Sequence, residues 1–283
     1  MKTIFIIDGI ADKPRHELKG KTPLQAPLTT GLDQVFMTDQ KLLEKIVSMA
    51  AVKKSERVLE IGAGTGNLTR LLAKKAKKVL AIEIDRSLEQ ILDKEFSKSK
   101  KVEIIFGNAL EILNDKKIEF DVVVSNPPYS ISEPLIKMLL GKSFSRAVLT
   151  LPWKFVETLT ANPEEHRYSR LSLIAQAFFR IETLLNVPAD AWSPVPDTRS
   201  AVVRLTPKKA GGSGEMLLRE IAMQDDKKLK NALRETMIKS GKGTKRKARG
   251  AVEDFGLPAK LLDKKISEMS LKEIQEVLNK IKE

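Results

Sequence analysis

The sequence predicts an α/β fold, with a mostly parallel seven-stranded sheet carrying helices on both faces and a small helical C-terminal domain. Three observations predict it. Seven short apolar runs lie between residues 57 and 205, the earlier ones alternating with stretches of helical periodicity. Such alternation places crossover helices over both faces of a parallel sheet. A glycine-rich turn, Gly62-Ala63-Gly64-Thr65-Gly66, joins the first of these runs to the first helical stretch after it. Beyond Pro207 to Gly214, a linker by composition, the chain turns charged, aromatic-poor and helical by pattern.

The elements follow in order. Residues 2–7 are apolar and end in Asp8-Gly9, a strand-then-turn signal, and residues 11–31, rich in Pro, Lys, Gly and Thr, read as loop. From Thr38 to Ala51, Leu42, Leu43, Ile46, Val47 and Ala50 recur at helical spacing, with Thr38 or Asp39 placed to cap the start. Strands are then expected over 57–61, 79–84, 102–106, 120–125 and 146–151, and helices over 67–75, 87–96 and 132–140. Two later runs, 180–187 and 200–205, suit a closing pair of strands at one sheet edge. The resulting division is an extension over 1–31, a main domain over 32–206, a linker over 207–214 and a helical domain over 215–283.

The chain has 283 residues, 42% of them hydrophobic, which supplies one substantial core and a smaller appended one. A net charge of +13 favours a polyanionic partner, since phosphate neutralisation releases counterions. A lysine-rich surface suited to hot or salty surroundings would give the same surplus. With no cysteine, disulfides, thiolate metal sites and a cysteine nucleophile are excluded. His16 and His166 are the only histidines, so a His-based metal site is poorly supplied. No apolar run approaches the ~20 residues that span a bilayer, and no signal peptide is evident, so a cytoplasmic protein without membrane attachment is expected.

The glycine turn has the spacing Gly-x-Gly-x-Gly, not the Gly-x-Gly-x-x-Gly of dinucleotide sites, so a pyrophosphate is not its obvious guest. Glu60, just before it, could complement the cationic half of a sulfonium amino acid. Glu83, at the end of the next strand, is placed to take both ribose hydroxyls of a nucleoside, and Asn108, after the third strand, to bond an adenine edge. Taken singly, each is also what an ordinary strand-to-helix turn and a solvated carboxylate would show.

Asn126-Pro127-Pro128-Tyr129 follows the apolar strand 121–125 and so falls on the same sheet edge. The Asn126 amide oxygen and the Pro127 carbonyl can accept hydrogen bonds from one exocyclic NH₂, holding the nitrogen lone pair out of ring conjugation. Proline fixes the backbone, and Tyr129 offers a stacking face worth about 1–3 kcal/mol per base. Phe36 or Trp192 could supply a second aromatic clamp. Asn-Pro-Pro is also a common loop-forming string. The two motifs together are the pattern expected for methyl transfer from S-adenosylmethionine to an exocyclic nitrogen, with N6 of adenine in RNA as the leading acceptor.

From Leu32 to about Leu205 the chain resembles the ribosomal RNA adenine dimethylase family, which modifies two adjacent adenines near the 3′ end of small-subunit rRNA. Leu32 to Asp39 resembles the family's opening segment over the cofactor, which implies cofactor contacts from Gln34, Val35 and Met37. Gly62, Glu83, Asn108 and Asn126 fall on its cofactor and catalytic positions, with Gly64 of the same turn a further cofactor candidate, and two stretches, His166 to Gln176 and Trp192 to Leu205, are similar to further family segments. The resemblance implies a Rossmann-like class I methyltransferase acting as a monomer on the pre-30S particle. Its C-terminal basic residues, Lys227, Lys228, Lys230, Arg234, Lys245, Arg246, Lys247 and Arg249, would grip rRNA phosphate.

The family usually has Asp at position 108, Leu at position 127, Gly at position 33 and a polar residue at position 35. Asn-Pro-Pro-Tyr is instead typical of DNA adenine and protein glutamine methyltransferases, which keeps those acceptors open. A catalytically weak rRNA-binding assembly factor is a third reading. Met1 to Asp12 and Gly20 to Ala26 resemble the start of archaeal cofactor-independent phosphoglycerate mutases, where Asp8 would be a metal ligand. The rest of that enzyme is absent, so no metal site is expected, and a gene-fusion remnant or misassigned start accounts for the stretch.

Overall fold

Seven strands hydrogen-bond into one sheet in the computed structural model, which describes residues 35–114, 118–208, 224, 226–239 and 244–282. The expected strand over 2–7, the loop over 11–31, Asp8, Gln34 and most of the linker lie outside the described residues.

In chain order the main elements are β1 (Phe36–Met37), α1 (Gln40–Ala50), β2 (Arg57–Ile61), α2 (Asn67–Lys75), β3 (Lys78–Glu83), α3 (Glu89–Phe96), β4 (Val102–Phe106), α4 (Ala109–Ile112) and β5 (Val122–Ser125). These are followed by α5 (Ser132–Leu139), β6 (Arg146–Pro152), α6 (Trp153–Thr160), α7 (Arg170–Phe178), β7 (Phe179–Val187), β8 (Trp192–Ser193) and β9 (Ser200–Pro207). The sheet order is β4-β3-β2-β5-β6-β9-β7. Its first five strands are parallel, and β9 and β7 close it antiparallel, as the two late apolar runs suggested. Pro207, expected to open the linker, pairs with Phe179 as the last residue of β9.

The strands read as unbroken apolar runs because both faces are covered. Val58, Val79, Ala81, Val122, Val124, Val148 and Val202 pack one way with residues of α1, α2 and α3. Their neighbours Leu59, Ile61, Ile82, Val123, Leu149, Val203 and Leu205 pack the other way with α5, α6 and α7. This is the period-two alternation of a pleated strand, and each Val or Leu so buried contributes about 1.5–3 kcal/mol.

Helix α1 starts where Asp39 accepts a hydrogen bond from the Leu42 amide at 3.0 Å, so Asp39 and not Thr38 is the cap. At its other end Arg146 donates to the carbonyls of Ala50 and Ala51, both at 2.7 Å, and grips Glu56 with both Nη atoms at 2.8 and 2.9 Å. A strand arginine thus satisfies the carbonyls that a helix end leaves unpaired. Past β9, the helices Leu229–Lys239, Lys245–Asp254 and Leu271–Lys282 contribute Leu233, Val252 and Ile274 to the core cluster on the α5–α7 face. Arg170 at the start of α7 donates to the Ile266 carbonyl at 2.7 Å.

Candidate active site

The chain runs from β2 to β3 and β4 on one side, then returns to β5 and β6 on the other. The reversal opens a crevice between the carboxyl ends of β2 and β5, the usual ligand position in an open α/β sheet. Regular pairing of these strands covers only Val58↔Val122 and Leu59↔Val123. Beyond it, the buried Ser125 hydroxyl donates to the Ile61 carbonyl at 2.6 Å and accepts from the Ile61 amide at 3.2 Å. One side chain therefore replaces the ladder and fixes the two loops that follow.

The first loop is Gly62–Gly66. Gly64 has φ +54, and a Cβ there would lie 3.1 Å from the Phe36 ring. A Cβ on Gly66, with φ +80, would lie 2.5 Å from the Phe96 ring, so any other residue there strains the backbone and displaces that ring. The second loop abuts the first: a Cβ on Gly62 would be 3.4 Å from Pro128 and 3.6 Å from the Asn126 carbonyl oxygen.

Between the loops lies an open cavity with about 370 Å³ of space, part of it continuous with solvent. Val35, Phe36, Met37, Glu60, Gly62, Gly64, Asn126 and Trp192 all line it. Thr65, Asn67, Leu43 and Leu68 line it as well, though none was expected as a site residue. Glu60 is 1% exposed, and neither its carboxyl oxygens nor the buried Thr69 hydroxyl meets a hydrogen-bond partner at ordinary geometry. Burial pushes the Glu60 carboxyl up to about 8, nearby Glu83 adds to the shift, and Thr69 opposes part of it. A buried carboxyl without partners beside a glycine-walled cavity is fitted to a cationic group.

Glu83 and Asn108 stand outside the cavity wall. Glu83 accepts from the Gly64 amide at 2.7 Å and from the Asp85 amide at 2.9 Å, tying the glycine loop to the end of β3. Burial raises its carboxyl despite those amides. Asn108 caps α4, accepting from the Leu110 amide at 3.0 Å and donating to Glu111 at 3.1 Å. Next to Glu83, Ile84 is 54% exposed, an apolar surface at the same sheet edge.

In the second loop the Asn126 side-chain oxygen accepts from the buried Thr150 hydroxyl, and its Nδ2 faces the Met37 sulfur at 3.7 Å. Pro127 is buried, and the half-buried Tyr129 shares a short hydrogen bond with Ser200 on β9. Burial raises the Tyr129 phenol. Trp192 meets the Tyr129 ring edge-on, with centroids 6.0 Å apart, and is only 3% exposed. It backs Tyr129 and walls the cavity with no free face for a second base. Phe36 and Met37 pair antiparallel with Ser193 and Trp192, so two stretches far apart in sequence roof one cavity.

Of the predicted basic residues, Lys227 and Lys228 lie just before the helix Leu229–Lys239 and the others on the C-terminal helices, and four are ion-paired. Lys227 bonds Glu235, Lys228 and Lys230 share Asp263, and Arg249 lies 3.7 Å from Glu253. Arg234 is half-buried, and Arg246 and Lys247 are exposed; the Lys245 side chain lies outside the described residues. Among the described residues no cluster of three or more His, Asp or Glu could hold a metal, and no helix is long and apolar enough to cross a membrane.

A family model described as ribosomal RNA adenine dimethylase matches residues 28–248. The chain is 39% identical over 194 residues to a probable ribosomal RNA small subunit methyltransferase A of Methanosarcina barkeri, a match covering 69% of this chain and 63% of that protein. It is 39% identical to the Pyrococcus abyssi protein of the same description, over 72% of this chain and 75% of the relative. Among solved structures, a dimethyladenosine transferase from Plasmodium falciparum superposes with a TM-score of 0.58 at 27% identity, covering 84% of this chain and 94% of that one. The 23S rRNA methyltransferase ErmE shares the fold at 20% identity and a TM-score of 0.58, covering 88% of this chain and 100% of that one.

Proposed function

The chain belongs to the ribosomal RNA adenine dimethylase family, and from that premise we propose that it methylates N6 of adenines in small-subunit rRNA during subunit assembly. The expected targets are two adjacent adenines near the 3′ end. The cofactor is S-adenosylmethionine, which supplies an electrophilic methyl group when bound. Glu60 would hold its ammonium end, the glycine loop would admit its backbone-close portion, and Glu83 and Ile84 would border its nucleoside.

The observation that carries the reading is that Asn126 lines the same cavity as Glu60 and Gly64, with Tyr129 beside it. An amide oxygen has two lone pairs, so Asn126 can hold the Thr150 hydroxyl and still accept from an exocyclic NH₂. The Thr150 bond also decides which way the amide faces. With the Pro127 carbonyl as second acceptor, the amino group is turned so that its lone pair points into the cavity. Tyr129, anchored by Ser200 and Trp192, presents a ring for an unstacked adenine. The methylated nitrogen is cationic and loses its proton to water, so positioning and not a general base supplies the rate.

On the C-terminal helices, exposed ion pairs such as Lys227–Glu235 are worth about 0–1 kcal/mol and exchange readily for contacts to phosphate. Tritiated methyl transfer to purified 30S particles, with mass spectrometry of the rRNA nucleosides, tests the proposal. Label in N6-methylated adenosine is expected, and its absence would refute it. An Asn126→Ala variant should lose transfer by about 10²–10³, the usual loss for a transition-state contact. Full activity in that variant would remove Asn126 from its assigned role. Pro127 favours a second reading, DNA adenine or protein glutamine as acceptor, and label in DNA or release factor alone would select it.

A further inference from the structure

At the outer end of β6 and β9, beyond the cofactor cavity, a second pair of side chains adjoins the reaction loop. Pro152 and Ser200 are the last paired residues there, and Ser200 anchors the Tyr129 hydroxyl. One step further out the Trp153 amide donates to the Arg199 carbonyl at 2.9 Å, and the Arg199 guanidinium carbon lies 4.6 Å from the centre of the Trp153 ring. We infer that Arg199, seated on Trp153, binds a backbone phosphate of the RNA beside the base that Tyr129 receives; this rests on the function proposed above.

Charge and geometry carry the assignment. Arg199 and Lys154 are both exposed, and neither has a carboxylate partner among the described residues. By contrast Arg57, Arg167, Lys227 and Lys230 are all ion-paired. A guanidinium held over an indole face keeps its N–H edges turned outward at little further entropic cost, and those edges match a phosphate bidentately. A nucleotide whose base stacks on Tyr129 carries its own phosphates past the residues that adjoin the Tyr129 anchor. Arg199 is sequence neighbour to that anchor. The contact supplies position and affinity without reading sequence, as phosphate contacts do.

The test is fluorescence anisotropy of the full chain with a labelled RNA hairpin carrying two adjacent adenines in its loop, over a salt series. Arg199→Gln is expected to weaken binding several-fold at low salt and to reduce the slope of log affinity against log salt by about one. Trp153→Phe should keep most of the affinity. Trp153→Ala should lower it while sparing the slope, because the cation remains but is no longer held. Calorimetry with S-adenosylmethionine should give the same affinity for wild type and Arg199→Gln, since Arg199 does not line the cofactor cavity. An unchanged salt slope in Arg199→Gln, with the wild type binding the hairpin, would overturn the inference and leave the proposed function standing. Loss of cofactor affinity in that variant would also overturn it. A wild type that binds no RNA would instead overturn the proposed function, and this inference with it.

Discussion

Replacing Glu60 by Gln should remove the pH dependence that this one carboxyl imposes on stability. Glu60 is 1% exposed without a well-formed hydrogen bond, and burial lifts its pKa from 4.5 to about 8. The folded state therefore holds a proton that the unfolded state has released between those two values. In that window the unfolded chain binds fewer protons, so stability falls as pH rises from 4.5 to about 8 and levels off above. A shift of that size corresponds to a ceiling on the order of 5 kcal/mol, at about 1.4 kcal/mol per pKa unit. Urea unfolding of wild type and Glu60→Gln from pH 5 to 9, without cofactor, reads it directly. The wild-type midpoint should fall relative to the variant across the range, with the largest gap at pH 9. The same carboxyl predicts proton release when a cationic ligand binds near pH 7, measurable by calorimetry in buffers of different ionisation enthalpy and absent in Glu60→Gln. Parallel stability curves for the two proteins would refute the argument, because they would mean that Glu60 is already ionised in the free fold.

Thr150→Val removes the hydroxyl that orients Asn126 and leaves the shape of the strand. A loss of about 1 kcal/mol, several-fold in kcat, is expected with KM for RNA nearly unchanged and with Thr150→Ser restoring the rate. Gly64→Ala places a Cβ at φ +54 against the Phe36 ring, 3.1 Å away. It should cost about 1–3 kcal/mol in urea unfolding and weaken cofactor binding by calorimetry, because the backbone is strained and the Phe36 ring, which lines the cavity, must shift by a few tenths of an ångström. Ser125→Ala strands the buried Ile61 carbonyl and amide; a loss of about 1–3 kcal/mol in the unfolding midpoint is expected with the denaturant slope unchanged.

Much of the sheet was legible because its signals are local. The strands 57–61 and 102–106 run as expected, since continuous apolar stretches between turn residues specify doubly covered strands. The strand expected from Phe120 starts at Val122 because the Asp121 carboxylate is taken by the Arg57 amide at 2.7 Å and the Arg57 guanidinium at 3.2 Å. That interaction joins residues 64 apart, so no window of sequence contains it. The helices over Trp153–Thr160 and Arg170–Phe178 were not marked by periodicity. Nor was β1 with β8, a pairing of two residues on each side.

At the site, Glu60, Gly62, Gly64 and Asn126 of the residues named by motif line one cavity, but the directions of the side chains could not be read beforehand. Asn126 lies between Thr150 and Met37, and Trp192 is buried behind Tyr129. Glu83 accepts from the Gly64 and Asp85 amides and Asn108 from the Leu110 amide, since a polar side chain at a strand end competes for unpaired backbone groups. The Trp153–Arg199 pair left no trace in sequence because it joins the first turn of a helix to the residue before a distant strand.

The two-residue ribbon formed by Phe36–Met37 and Trp192–Ser193 is too short to persist alone, so it is held by what lies beneath it. Met37 and Trp192 are buried, and the Phe36 ring rests where Gly64 leaves room. None of these contacts belongs to the seven-stranded ladder. Local unfolding of this segment therefore leaves the register of the main sheet intact and costs less than global unfolding. Opening the ribbon would uncover the cavity that Phe36, Met37 and Trp192 wall without breaking any pair of the main sheet.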